Sequence, residues 1–224
     1  MSLPTPYYEE DGITIYCGDC REIAPQLQGI DAVISDPPYG MKLDTDNSRF
    51  SGGNVSSVAR RGNGIGTGGG VGIVGDDAPF DPSPWLNYPA VVLFGSNHYA
   101  ARLPVGTTLV WLKRHDAAFG SFLSDAEVAW MKGGFGVYAK RDLSMTSEAL
   151  TRQHPCQKPV SIMGWCMERA KIGPNSTILD PFMGSGTTLL AAKLRGLKAV
   201  GIEINESYCQ IAKQRLSQGV LITA

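Results

Sequence analysis

The sequence predicts one α/β domain built on a mostly parallel sheet, with an antiparallel pair at the sheet edge. Three observations lead there. Short apolar runs stop at acidic residues: Ile30–Ser35 before Asp36, Ser176–Leu179 before Asp180, and Ala199–Ile202 before Glu203. Segments of helical period (Val160 to Lys171, Leu189 to Leu194 and Glu206 to Leu216) alternate with the later strands, which is the pattern of parallel βα units. A length of 224 residues with 43% hydrophobic content suits one such domain and is too short for two large ones.

Taken in order, Gly12 to Gly18 alternates as a strand ending at Asp19, and a short helix follows around Arg21 to Leu27. Ile30 to Ser35 is the next strand. Residues 41–79 form a long insert, and its stretch from Arg61 to Gly75 is about half glycine, too poor in apolar side chains to offset the entropy of ordering by itself. Asp81-Pro82-Ser83-Pro84-Trp85 starts a short helix, Ala90 to Phe94 is a buried strand ending at Gly95-Ser96-Asn97, and His98 to Leu103 is another short helix. Thr107 to Leu112 and Glu127 to Met131 form the antiparallel edge pair, and Gly133 to Gln153 reads as irregular and polar. The helix from Val160 stops at Gly173-Pro174. Glu206 to Leu216 closes the fold, with Tyr208, Ile211, Ala212 and Leu216 on its core face.

Composition excludes several classes. No apolar run reaches membrane-spanning length, and Met1 to Gly12 lacks the basic and apolar blocks of a signal peptide. Five cysteines without a secretion signal imply reduced thiols and a cytoplasmic protein. Cys17-x-x-Cys20 has metal-ligand spacing, but no second pair accompanies it, so no metal is expected. The net charge of −1 does not argue against nucleic acid, because phosphate contact needs only a local basic face.

Asp36-Pro37-Pro38-Tyr39 is the most informative stretch. Prolines cannot extend a ladder and fix φ at about −65°, and the residue before each is held extended. The result is a stiff strand end carrying a carboxylate, a carbonyl with no neighbouring N–H, and a ring. Open α/β sheets bind ligands at that edge, and an acceptor pair beside a stacking ring suits an exocyclic amine on a flat heterocycle. Alone, the tetrapeptide also reads as a proline-rich turn with a capping Asp. Near the other end, Ser176 to Thr188 reads as strand, glycine turn and helix start. Gly184 and Gly186 permit a tight turn and close backbone approach, and Thr187 or Thr188 supplies the helix cap. A following strand that ends in Glu203 completes a layout suited to ribose hydroxyls. The Gly-x-Gly spacing lacks the third glycine of a dinucleotide fingerprint.

Four motifs, Asp36–Tyr39, His154-Pro155-Cys156-Gln157-Lys158-Pro159, Asp180–Thr187 and Gly201-Ile202-Glu203-Ile204-Asn205, together resemble the amino-methylating DNA methyltransferases. The likeness is to the permuted β group, whose catalytic tetrapeptide precedes the cofactor loop, and it runs from about Thr14 to Leu216 outside the inserts. It implies the Rossmann-like fold of S-adenosylmethionine-dependent methyltransferases with a mostly parallel, seven-stranded sheet, S-adenosyl-L-methionine as cofactor, and double-stranded DNA as partner. By this resemblance Asp36, Pro37, Pro38 and Tyr39 form the catalytic segment. The Asp36 carboxylate and Pro37 carbonyl accept the amine hydrogens, and Tyr39 stacks on a base flipped out of the duplex. Glu203, with Ile204 and Asn205, is assigned to the ribose. Asp180, Pro181, Phe182, Gly184, Ser185, Gly186 and Thr187 are assigned to the methionine end, where Lys158 can reach a carboxylate. Asp19, beside Cys20, is assigned to the adenine amine, and Gly95 and Asn97 flank the pocket. Asp19 also reads as a plain turn residue, and Glu203 as a strand-end surface acid.

In that family, adenine N6 enzymes usually carry Asp before Pro-Pro-Tyr and cytosine N4 enzymes usually carry Ser, so Asp36 favours adenine. Cytosine N4 is the alternative, and a non-catalytic DNA-binding module is the alternative of a different class. Relatives acting on RNA or glutamine normally carry Asn there and the unpermuted order. Cys156 follows a proline, as a cytosine-C5 nucleophile does, but it sits in the cofactor-side motif. Arg49, Arg60 and Arg61 in the first insert, and Lys113, Arg114, Lys140 and Arg141 in a short target-recognition segment at residues 113–153, are the candidate DNA contacts. The chain has no room for a nuclease domain, and a homodimer is left open.

Overall fold

The computed structural model describes residues 2–40, 76–120, 124–143 and 157–217. It divides into one unit of residues 1–37 and 81–224 and a second of residues 38–80. The glycine-rich insert from residue 41 to 75, with Arg49, Arg60 and Arg61, and the motif residues His154 to Cys156 lie outside the described residues.

The larger unit is a sheet of eight strands: β1 (Tyr8–Glu10), β2 (Ile13–Cys17), β3 (Ala32–Ser35), β4 (Ala90–Phe94), β5 (Gly106–Leu112), β6 (Ala126–Arg141), β7 (Thr177–Asp180) and β8 (Lys198–Glu203). Their order is β1-β2-β8-β7-β3-β4-β6-β5. The eighth strand beyond the expected seven is β1, which pairs antiparallel with β2, Tyr8 opposite Ile15. Its polar Glu9-Glu10 ending hides a strand signal. The central five strands are parallel, with Cys17 opposite Glu203, Asp180 opposite Gly201, Val33 opposite Leu179 and Ser35 opposite Leu93.

The far edge departs from the sequence reading. The partners of β5 first fall as the chain rises, Thr107 with Met131 through Leu112 with Ala126, which is the expected antiparallel pairing. They then rise with it, Thr108 with Val137 through Leu112 with Arg141. Residues 133–141, expected to be irregular, therefore continue as strand and pair along β5 in parallel. Gly133 and Gly134, both with positive φ, let the chain cross the end of β5. The exposed Phe135, Val137 and Tyr138 follow an edge-strand pattern rather than a core one.

Among the described residues the α-helices are α1 (Cys20–Ile23), α2 (Val160–Arg169), α3 (Thr187–Lys193) and α4 (Glu206–Ser217). α2 buries Ile162, Met163, Cys166 and Met167, and α4 buries Cys209, Ala212 and Leu216, against a core that includes Ile13, Ile34, Phe94, Leu109 and Trp111. The α3 cap is not a threonine side chain. Gly186 holds the cap position in the left-handed conformation, and Thr187 is already helical. The helix expected after Asp81 is a run of turns closed by Trp85 N–H to Pro82 C=O (2.9 Å). The proline at position 84 and the serine between the two prolines favour turns over a helix interior. The helix expected at 98–103 is two short 3₁₀ turns, Ser96–His98 and Ala100–Arg102.

In the second unit, Gly40 donates its N–H to Asp76 Oδ1 at 2.6 Å. Gly40 has φ of 78°, and a Cβ there would lie 2.3 Å from the Ala78 carbonyl oxygen, so glycine is required at the end of the tetrapeptide.

Candidate active site

The sheet order sets the first dimension of the site. β7 lies between β3 and β8, so the ends of β3 and β8 are two strand spacings apart, roughly 10 Å. The registers set the second. Asp180 sits opposite Gly201, and Leu179 opposite Val33. Glu203 and Asp36 therefore both stand two residues beyond the Asp180 row, at the carboxyl edge of the sheet.

Asp180 ties the two halves together. It is 3% exposed, and its Oδ1 accepts the Ser35 hydroxyl at 2.6 Å and the Phe182 N–H at 3.2 Å. Burial raises its pKa to about 6 against these hydrogen bonds and that of Thr188. The strand that delivers Asp36 is thus fastened, through Ser35, to the start of the glycine loop.

Gly184 and Gly186 adopt positive φ of 51° and 79°. A Cβ on Gly186 would meet the Ala212 Cβ at 2.9 Å, so both backbone conformation and close helix approach call for glycine. Glu203 braces the loop from the next strand. Its oxygens accept N–H from Gly184 (3.0 Å) and Asn205 (2.8 Å), and burial raises its pKa despite those bonds. Arg215, on α4, holds the loop from the other side through the Ser185 carbonyl (2.5 Å), Ser185 Oγ (3.0 Å) and Thr187 Oγ1 (3.2 Å). Asn205 caps α4, its Oδ1 accepting the Ser207 N–H at 2.9 Å, and Ile204 is half exposed. Pro181 leads into the loop.

At the other end lies a chain of charges. The Lys158 ammonium, 8% exposed, donates to Asp36 Oδ2 and lies 3.1 Å from Glu127 Oε2. Lys113 reaches Glu127 Oε1 at 2.9 Å. Burial alone would lower the Lys158 pKa, but the carboxylates of Asp36 and Glu127 outweigh it and raise the value. Burial likewise opposes the charge on Glu127, and Lys158 and Lys113 outweigh it and lower its pKa. The Phe94 ring lies 5.4 Å from the ammonium. The Tyr99 hydroxyl donates to the Phe94 carbonyl, and burial and then the Asp36 charge push its pKa up.

Asp19 lies at the end of β2, next to β8. It caps α1, accepting the Arg21 N–H at 2.8 Å, and pairs with the Arg21 guanidinium. Cys20 is half-buried, and burial followed by the Asp19 charge raises its thiol pKa to about 12, opposite to the lowered value of a reactive cysteine. Pro38 and Tyr39 open the second unit. Among the candidate DNA contacts, Lys113 turns inward to Glu127, Arg141 pairs with Asp116 at 2.5 Å, Arg114 donates to the Ser124 carbonyl at 3.1 Å, and Lys140 lies on β6. Sequence reasoning missed Ser35, Glu127 and Arg215 as site residues. Only Ser35, adjacent to Asp36, carried a local signal. Among the described residues, no group of three or more His, Cys, Asp or Glu side chains is placed to hold a metal ion, and no helix is long and apolar enough to cross a membrane.

Residues 129–214, which hold the Lys158 motif, the glycine loop and Glu203, match the family model described as DNA methylase. Asp36 lies outside this segment. The Type II methyltransferase M2.LlaDCHI of Lactococcus lactis subsp. cremoris is 45% identical over 80 residues, 34% of this chain and 28% of that protein. The Type II methyltransferase M2.DpnII of Streptococcus pneumoniae is 31% identical over 114 residues, 49% of this chain and 41% of that protein. The matched stretches thus span less than half the length of either relative. The crystal structure of M1.HpyAVI superposes with a TM-score of 0.54 at 22% identity, covering 92% of this chain and all of that one. The methyltransferase fold expected from the sequence is therefore the observed fold, with one more strand.

Proposed function

We propose that the chain is an S-adenosylmethionine-dependent DNA methyltransferase that methylates the exocyclic N6 amine of adenine. The observation that carries this reading is the placement of Asp36 and Glu203 at one level of the same sheet edge, with the glycine loop between them. A ligand spanning roughly 10 Å would meet both.

The residues fit the cofactor. A carboxylate offers about four acceptor sites, so Glu203 can brace Gly184 and Asn205 and still take ribose hydroxyls. When bound, S-adenosylmethionine supplies an electrophilic methyl group on a sulfonium. The loop from Pro181 to Gly186 orients that end, and Asp19 lies at the neighbouring strand end for the adenine. An exocyclic amine is a weak nucleophile because its lone pair is delocalised into the ring. The Asp36 carboxylate and the Pro37 carbonyl accept its hydrogens and draw the nitrogen toward tetrahedral geometry. The carboxylate charge and the carbonyl dipole would stabilise the positive charge that develops on nitrogen as the methyl group leaves the sulfonium sulfur for it, and one N–H proton would then pass by way of the Asp36 carboxylate to solvent. Positioning and electrostatics supply most of the rate.

Replacing Glu203 with Ala is expected to weaken S-adenosylmethionine binding by about 1.5–3 kcal/mol, the scale of hydrogen bonds to a charged group. Isothermal titration with unchanged affinity removes Glu203 from the cofactor site.

Asp36 favours adenine, as the resemblance implies. A cytosine-specific enzyme shares the fold, since PvuII DNA methyltransferase (cytosine-N4-specific) superposes with a TM-score of 0.59 at 13% identity, covering 96% of this chain and 90% of that one, so the fold leaves both amines open. Incubation with unmethylated genomic DNA, followed by nucleoside mass spectrometry, decides between them. N6-methyladenine is the expected product, and N4-methylcytosine alone reverses the assignment.

A further inference from the structure

We propose that Glu127 is a positioning residue for Asp36, acting through Lys158. The proposal rests on the methyltransferase reading above and adds a residue to that same site. Four charges of alternating sign run in series, Lys113, Glu127, Lys158 and Asp36, and each Glu127 oxygen takes a different ammonium: Oε1 that of Lys113 at 2.9 Å, Oε2 that of Lys158 at 3.1 Å.

The series balances to zero charge, and that balance matters for the reaction. Lys158 touches Asp36 Oδ2, so the ammonium sits beside the place where the amine nitrogen becomes positive. With Glu127 present, Lys158 divides its hydrogen bonds between two carboxylates, and its charge is cancelled locally. Without Glu127, Lys158 turns wholly to Asp36 and withdraws electron density from the acceptor that the amine needs. One uncompensated positive charge then faces the developing positive charge. The penalty falls on the transition state rather than on ground-state binding.

The elements explain why Glu127 arrives at this spot. It lies on β6, whose next residues pair antiparallel with the end of β4, Ala129 opposite Phe94. Lys158 stands just before α2, close enough to the Phe94 ring for a cation–π contact. Residues from three distant parts of the chain therefore converge on one ammonium.

Single-turnover methyl transfer by the full chain, with labelled S-adenosylmethionine and duplex DNA, tests the role. E127Q should react on the order of 30-fold slower, less than the loss of a group touching the reacting atoms, while cofactor and DNA affinities stay within about threefold. E127D should recover most of the rate. In a K158Q background, adding E127Q should change the rate by less than about twofold, because residues acting in series are not additive. Full wild-type rate in E127Q overturns the proposal, as does an equal slowing in the K158Q background. A wild-type chain that transfers no methyl group to any DNA overturns the methyltransferase reading itself, and this role with it.

Discussion

Asp36→Ala should abolish methyl transfer, with a rate loss on the order of 10³-fold or more, while S-adenosylmethionine binding stays within a few-fold. The expected size follows from the role proposed for Asp36 as acceptor to the reacting amine, an interaction made on the way to the transition state. Cofactor affinity survives because Glu203 and the glycine loop are held by Gly184, Asn205 and Arg215, none of which depends on Asp36. The Ala variant also leaves the buried Lys158 with one carboxylate, Glu127, in place of two. Asp36→Asn keeps the shape and an acceptor oxygen, and separates lost chemistry from lost packing. Single-turnover kinetics paired with calorimetry checks both, and near-normal turnover in either variant removes Asp36 from the mechanism.

Asp180→Asn should change how stability depends on pH. Asp180 is almost fully buried, with a folded-state pKa raised to about 6 by burial, against about 3.9 unfolded. The folded protein binds the extra proton between those values, so this group's contribution is fully present below about pH 4 and is lost as pH rises toward 6. The difference of about two units corresponds to roughly 3 kcal/mol. Asp19 and Glu127 run the opposite way, with lowered values, and Glu203 runs the same way, with a raised one. The comparison is therefore wild type against variant. Denaturant unfolding at pH 4 and pH 7 should show Asp180→Asn gaining on wild type by about that amount as pH rises. A constant gap across this range means that Asp180 is ionised at pH 4 in the folded state, contrary to its burial.

The parts of the fold visible in the sequence are those governed by local rules. Ala90–Phe94 reads as a strand because five consecutive residues are apolar and end at glycine, and the structure agrees residue for residue. The acid-ended strands place Asp36, Asp180 and Glu203 on one edge because parallel connections bring all carboxyl ends to the same side. Long-range side-chain pairing was not visible. Glu127 stands in the sequence only as the start of an edge strand, and only tertiary packing shows that it faces Lys158. Lys158 itself was assigned to a carboxylate, and the carboxylates it meets in the structure belong to Asp36 and Glu127. Residues 133–141 looked irregular because glycine and exposed aromatics obscure the alternation of a strand whose partner supplies the hydrogen bonds.

The place of β7 between β3 and β8 also affects how the chain assembles during synthesis. All four residues of β3 are buried, and one of its two hydrogen-bonding edges is satisfied only by residues Ile178 and Leu179, 146 positions after their partners Ala32 and Val33. Until Thr177–Asp180 has emerged from the ribosome, the nascent protein carries an apolar strand with a bare edge, the arrangement that invites pairing with another chain. The same late insertion brings Asp180 to Ser35. The segment bearing Asp36 is thus made early, and the anchor of its neighbour Ser35 forms only once the start of the glycine loop exists.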